Sequence, residues 1–474
     1  MRRRILTFLL MVTIIIPTIA QEQPNDSIVK PHPWQALGGV IAINGVIHGF
    51  NRFVKDEPFA KTTLNSIKDN FHSKWVWDND KFYMNELGHP YQGALYFNAA
   101  RSTGHSFVQS IPYTIVGSLM WEYLGETEPP SINDVLTTSF SGPLLGEVTH
   151  RMSLFFIDES ERGIRRFARE AAAALINPVG GFNRLVSGRM WKVRSDGHLV
   201  RETDDDYFAL TVGDRYVTDA SSSSDGAHQF YINFAMEYGK LADDEPHHTP
   251  FDYFSIDGTF AFGKKQHYVT DLSINGRICS TPLMNSRHVK GDIGLFQFFQ
   301  FEDTHLQGDS RGVFPYSEVV SLGPVLTLAF PTVAHNLSTR HFVAPRAIGL
   351  GTTESDYYDV YNRQYNMGSG YGISSNNKIT WKNVMELQLN ANYMHLYTWK
   401  GYEPDELSTS NQNAMGDYSN THLLKLSTQV RATLRHPWKI VFGASYYRRS
   451  TNYKYYSSHM TDSYELRGGI EWHL

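Results

Sequence analysis

Residues 422–435 read His-Leu-Leu-Lys-Leu-Ser-Thr-Gln-Val-Arg-Ala-Thr-Leu-Arg. Leu424, Leu426, Thr428, Val430, Ala432 and Leu434 fall on one side of this stretch. Lys425, Ser427, Gln429, Arg431, Thr433 and Arg435 fall on the other. Side chains alternate between the faces of a strand, so a period of two predicts one apolar or neutral face and one polar face. The run is well over twice the usual strand length of about 5–6 residues in soluble sheets. The same alternation recurs at Met385, Leu387, Leu389, Ala391 and Tyr393, at Phe230, Ile232, Phe234, Met236 and Tyr238, and at Phe254, Ile256, Phe260 and Phe262.

Working outward, about twelve such segments follow residue 205. They centre on 207–217, 228–239, 251–263, 267–278, 290–302, 316–329, 341–351, 365–374, 384–397, 422–435, 439–448 and 462–473. Long strands with one apolar and one polar face suit a closed membrane barrel. Lipid wets one face, the lumen takes the other, and closure satisfies every backbone group. Tyr393, Tyr397, Trp399, Tyr446 and Tyr447 suit interfacial girdles. Tyr464, Leu466, Gly468, Ile470, Trp472 and Leu474 alternate back from the last residue. This resembles the terminal-strand signal of outer-membrane barrels, whose final residue is usually aromatic, where this chain has Leu474. Short turns are expected at 376–379 and 436–438. The tight 263–266 turn then falls on the side where loops are usually long. Either the count is off by one strand near 280–300 or one hairpin is unusually short.

Composition agrees with this class. The chain has 474 residues, 41% hydrophobic and only 19% charged, with 14% aromatics, which excludes a disordered chain. A net charge of −5 leaves no basic footprint for nucleic acid. The single Cys279 excludes a disulfide framework and a thiolate zinc cluster. Arg2, Arg3 and Arg4, the apolar run Ile5–Ile16, and Thr18 and Ala20 form the three parts of a cleavable signal peptide over 1–20. The expected localisation is the outer membrane of a Gram-negative envelope. The expected partners are outer-membrane lipid and, through the last strand, the barrel-assembly machinery.

The part before residue 190 has a helical period. Residues 21–33 read as a linker and 34–190 as a helical domain, with apolar runs at 34–54, 106–124, 132–157 and 159–177. Ser131 with Asp134 is a helix-start pattern, and Pro178, Gly180 and Gly181 read as the end of the helices. The fold class is therefore α+β: a helical domain followed by an antiparallel transmembrane barrel over 205–474. The helices are expected to plug or cap the lumen.

Three stretches in the helical half carry a resemblance: His89-Pro-Tyr-Gln-Gly93, Trp121–Glu122 and Pro130-Ser-Ile-Asn-Asp134 leading to Gly142-Pro-Leu-Leu-Gly146-Glu147. Over about 75–155 the chain resembles an uncharacterised family of bacterial envelope proteins with a helical domain of unknown function and a downstream barrel. The resemblance implies no activity and no cofactor.

The residues allow several readings. Gly142 and Gly146 permit close helix approach. Arg101, Glu126, Asp134 and Arg151 form a structural polar cluster, in which Arg101 or Arg151 pairs with Glu122 or Glu147, because buried charge must be paired. Glu86-x-x-His89 and Glu147-x-x-His150 with Glu122 between them match the ligand set of a four-helix di-metal site. His89 as general base, with Glu122 or Glu147 orienting it, gives a membrane-embedded enzyme on envelope lipid. No Gly-x-Ser-x-Gly elbow is present. Asp78 and Asp80 lack the remainder of an EF-hand loop. The leading functional expectation is a non-enzymatic barrel with an occluded lumen, for envelope transport or assembly. The alternatives are the lipid-acting enzyme or metal protein, and a structural or partner-binding barrel.

Overall fold

A computed structural model describes residues 30–194, 206–219, 226–242, 245–263, 268–304, 313–334, 337–359, 363–381, 384–403 and 414–473. The expected signal peptide and Leu474 lie outside the described residues. The chain folds as two compact units. The helical unit comprises 30–78, 83–194 and 248–251; the barrel unit comprises 79–82, 206–247 and 252–473.

The barrel is a closed antiparallel ring in which each strand pairs with its sequence neighbour and β1 closes on β12. Its strands are β1 (Tyr207–Asp219), β2 (Ala227–Tyr238), β3 (Phe254–Phe262), β4 (Val269–Asn285), β5 (Lys290–Glu302), β6 (Tyr316–Ala334), β7 (Leu337–Glu354), β8 (Tyr365–Trp381), β9 (Met385–Tyr397), β10 (Ser419–Arg435), β11 (Trp438–Tyr453) and β12 (His459–His473). The count of twelve stands, and β4 and β5 turn through 286–289; the expected tight turn at 263–266 lies, after Gly263, outside the described residues.

The expected turn at 376–379 is a correction. Those residues lie inside β8, where Asn376 accepts from Gln388 Nε2 across the ladder at 3.1 Å. Asn is a turn former by composition. Here its amide instead satisfies a polar neighbour on the lumen face.

The faces sort by polarity as lipid would sort them. Leu426, Phe442, Leu466 and Ile470 point outward and are exposed, while Arg215, Glu302, Arg431 and Glu465 point inward and are buried. In water that arrangement would be inverted, so the barrel is of the transmembrane kind. The barrel unit also takes in residues 79–82. Tyr358 Oη donates to Asn79 at 3.0 Å, Tyr365 Oη donates to the Asp80 carbonyl at 2.8 Å, and Phe82 stacks on Phe301.

The helical unit holds α1 (Pro33–Phe53), α2 (Leu64–His72), α3 (His89–Arg101), α4 (Phe107–Met120), α5 (Ile132–Phe156), α6 (Gly163–Ile176) and α7 (Pro178–Val186). Among the described residues no helix is long and apolar enough to cross a membrane. Pro178 does not end the helical part, which corrects the sequence reading. It sits at the first position of α7, where its missing N–H costs nothing, and the Asn177 side chain caps the Gly180 N–H at 2.8 Å. The α3–α5 crossing is set by glycine. A Cβ on Gly93 would lie 2.2 Å from the Thr138 carbonyl oxygen, and one on Gly142 would lie 2.7 Å from Gly93 backbone. The two backbones touch, so no larger residue fits at either position. Gly146 packs under the Phe97 ring in the same way.

Candidate functional site

One group of buried polar residues in the helical unit gathers where α3 and α5 begin. Val76 pairs in parallel with Ser131: the Val76 N–H donates to the Pro130 carbonyl at 3.0 Å, and the Ile132 N–H donates to the Val76 carbonyl at 2.8 Å. This short bridge carries Asp78 to the start of α5. The Asp78 N–H donates to Asn133 Oδ1 at 3.0 Å. Ser131 Oγ donates to the same oxygen at 2.9 Å, and Asn133 Nδ2 donates to Asp134 Oδ1 at 2.7 Å. Ser131 caps α5 by accepting from the Asp134 N–H.

His89 reaches this point from the other chain segment. Residues Met84–Gly88 form one wide π-helical turn that runs into α3, so His89 lies in continuous helix. Its Nε2 is 3.5 Å from Asp134 Oδ2. One ligand-type atom each from Asp78, His89 and Asp134 lies within 4.8 Å of the others. Two ligands sharing an ion at 2.0–2.2 Å are at most about 4.4 Å apart, so the cluster is close to that spacing. His89 and Asp134 are buried, and Asp78 is half-buried.

Glu122 stands behind this cluster. It is buried in a second π-helical turn, Trp121–Gly125, and its Oε2 accepts the Ser131 N–H at 2.6 Å. Removal from water pushes its carboxyl up to about 8; the negative charge of Asp78 adds to this and the Ser131 N–H opposes it. Glu126 is raised as well, by burial and then by the charges of Glu122, Asp134 and Asp78. Burial first, with the neighbouring carboxylate charge adding to it, thus favours the protonated form of Glu122.

The sign for stability follows. A carboxyl whose folded value lies above its ordinary 4.5 contributes most below pH 4.5, and that contribution is lost as pH rises toward 8. The melting temperature of the helical unit is therefore expected to fall between pH 5 and pH 8.5. Glu122→Gln, which keeps the acceptor for Ser131, is expected to flatten that slope. Helical circular dichroism melts at both pH values read it. Equal slopes in the two proteins would mean that Glu122 is already ionised at pH 5.

Glu147 belongs to a different group. It is fully buried on α5 and held by two arginines. Arg101 Nε meets Oε2 at 2.8 Å and Arg101 Nη2 meets Oε1 at 3.2 Å, while Arg151 Nε meets Oε1 at 2.8 Å. Arg101 also donates to the His105 carbonyl and Arg151 to the Pro250 carbonyl. Burial opposes ionisation of Glu147, but the two guanidinium groups outweigh it and hold the carboxyl at about 2.

The sequence-derived candidates therefore divide. His89 and Asp134 come together, with Asp78, in one cluster, and Glu122 and Glu126 lie behind it. Glu147, Arg101 and Arg151 form the ion triad, and His150 is near enough for its charge to act on Glu147. Glu86 is buried in the π-turn before His89. The two Glu-x-x-His pairs are thus not brought onto one centre around Glu122. Asp78 and Asn133 went unrecognised as site residues. Their only sequence signal is polar residues on both sides of a bridge, at Val76 and Ser131, that no local period reveals.

Residues 74–179 match the family described as a domain of unknown function (DUF3943). No curated protein matches the chain. Among solved structures, the NanC porin aligns over 56% of this chain and 98% of its own, at 9% identity and a TM-score of 0.28. OmpT, an outer membrane protein of Vibrio cholerae, aligns over 57% and 97%, at 8% identity and a TM-score of 0.26. The KdgM porin aligns over 55% and 98%, at 12% identity and a TM-score of 0.21. At such values no cargo and no residue role passes from these proteins to this chain.

Proposed function

We propose that the chain is an outer-membrane protein with an occluded barrel, serving envelope transport or assembly rather than passive permeation. The observation that carries this reading is a set of side-chain struts inside the barrel. Arg340 on β7 meets Glu237 on β2 at 2.6 Å. Lys425 on β10 meets Glu302 on β5 at 2.8 Å. Each pair joins strands five places apart in a ring of twelve, which is nearly opposite. Asn392 on β9 donates to Gln300 on β5 at 2.7 Å, and Arg346 on β7 bonds both Glu318 and Asn392. The free space left among them is a cavity of about 270 Å³.

The basic and apolar N-terminal segment and the alternating last strand support an outer-membrane address. In this reading β12 is the handle for the barrel-assembly machinery, and the helical domain governs the closed lumen. Single-channel recording on the full chain tests it, with strut variants as the opening control. Steady current through the unaltered protein would sink it.

A second reading has its own observation, the Asp78–His89–Asp134 cluster. Two carboxylates and an imidazole at this spacing suit a hard or borderline divalent ion, or a carboxylate-oriented His base, for chemistry on envelope lipid. Under it, detergent-purified protein carries one divalent metal per chain, and His89→Ala and Asp134→Asn each lose it. Elemental analysis that finds no metal in the unaltered protein ends the metal form of this reading.

A further inference from the structure

Four helices of the helical unit are built inside out. On α1, Asn44, His48 and Arg52 recur every fourth residue and point into the unit. Asn44 accepts from Tyr96 Oη and donates to the Gly117 carbonyl, His48 bonds the Gly125 carbonyl, and Arg52 donates to the Ala60 and Thr62 carbonyls. The opposite face of α1 carries Val46, Phe50 and Phe53, with Phe53 80% exposed, and Trp34 and Ile41 are exposed at the flank of the polar row, Trp34 82%. Val40 and Ala36 are buried on its inner side, and Ile43 packs against the small Val40, Tyr96 and Ala99 cluster.

The pattern repeats. On α6 the buried face is Arg166, Glu170 and Ala173; Arg166 and Glu170 pair with each other at 2.6 Å, and Glu170 also takes Arg184 from α7 at 2.7 Å. The outer face of α6 is Ile164, Phe167 and Leu175, with Leu175 83% exposed. On α7, Asn183 and Arg184 turn inward to Ser102 and Glu170, while Phe182, Leu185 and Val186 are exposed. On α4 the small polar Ser110, Thr114 and Ser118 are buried with Gly117 behind a single buried aromatic, Phe107, and Val116 is exposed.

A helix in water buries its apolar stripe and wets its polar one. Here the order is reversed on four helices at once. Apolar patches of this extent on a soluble surface mark an interaction site. We infer that the outer faces of α1, α4, α6 and α7 are seated in membrane lipid. A second copy of the chain is the other occupant such faces could take, and the test below separates it from lipid. The barrel of the same chain shows the identical inversion, with Phe442 and Leu466 out and paired charges in. Trp34 and Trp191, both exposed, are the residue type enriched where hydrocarbon meets headgroups. Since no described helix is long and apolar enough to cross, the contact is with one leaflet, in the manner of an interfacial helix. The helical domain then keeps its ion pairs and the Asp78–His89–Asp134 cluster in a polar interior next to lipid.

The test is nitroxide accessibility on the full chain in phospholipid vesicles. Single labels go at Ile41→Cys, Leu175→Cys, Phe442→Cys and Glu128→Cys, each in a Cys279→Ser background. Phe442 reports the barrel wall and Glu128, exposed on a polar loop, reports water. Positions 41 and 175 are expected to collide with oxygen in preference to a water-soluble nickel chelate, to the same degree as 442 and opposite to 128. Free access of the nickel chelate at 41 and 175, with 442 still lipid-like, would overturn the inference and leave the barrel reading intact. Immobile spectra closed to both quenchers would overturn it in favour of a second copy or another protein on those faces. Nickel access at 442 would instead sink the membrane barrel itself.

Discussion

Glu147→Ala is expected to cost the helical domain roughly 3–5 kcal/mol, because it strands two buried guanidinium groups. Arg101 and Arg151 are both nearly buried, and Glu147 is their shared counter-ion. Removing one partner of a buried pair leaves charge in a medium that cannot solvate it, which is far costlier than losing the pair's net attraction. Thermal melting by helical circular dichroism reads the loss, with cold and boiled gel migration reporting the barrel separately. The triple replacement Arg101→Met, Glu147→Leu, Arg151→Met removes all three charges and fills the volume, so it is expected to recover most of that stability. A cost below about 1 kcal/mol for Glu147→Ala would contradict the triad's structural role. The pH sign is opposite to that of Glu122. Glu147 is depressed from its ordinary 4.5 to about 2, so its contribution is present above pH 4.5 and disappears as pH falls through 2. Metal lost from a Glu147 variant would therefore report unfolding, which is why His89 and Asp134 are the informative positions for the metal reading.

What the sequence made legible follows from what periods can encode. Strand alternation is a local signal, and Leu424 through Arg435 carry it without help from the rest of the fold. The strand ends were less visible, because 376–379 look like turn residues until the Asn376 amide is seen accepting from Gln388 on the lumen face of β8. The start of α7 was misread for a related reason. Proline stops a helix from inside but opens one at its first position, and only the Asn177 cap decides between the two. The inversion of α1 and α6 could not be read at all. A stripe of period 3.6 states that a helix has two faces, not which one faces in. The site was half visible. His89 and Asp134 were identified as polar residues in apolar surroundings, but Asp78 joins them only through the Val76–Ser131 bridge, 55 residues away in sequence at its Asn133 contact.

The same limit applies to the lumen. Alternation marks Glu237 and Lys425 as inward, while Glu302 and Arg340 fall in less regular stretches, and pairing across a ring depends on register, strand tilt and side-chain length. The pairing yields the second large expectation. In planar bilayers the full chain is expected to give no steady current, whereas the fourfold variant Glu237→Ala, Glu302→Ala, Arg340→Ala, Lys425→Ala is expected to give discrete conductance steps. Both partners of each pair are removed together, so no buried charge is left unpaired and the folding cost stays small. The barrel keeps its closed hydrogen-bond ladder and its apolar outer face, which supply its stability in lipid. Raising the salt concentration should not release the Lys425–Glu302 pair, where Glu302 is 1% exposed at the side chain, and should weaken the Arg340–Glu237 pair more, whose side chains are 30% and 25% exposed. If the fourfold variant migrates as a folded barrel and remains silent, these two ion pairs are not the barrier. If the unaltered chain already conducts, it is a pore, and the helical domain has no closed lumen to govern.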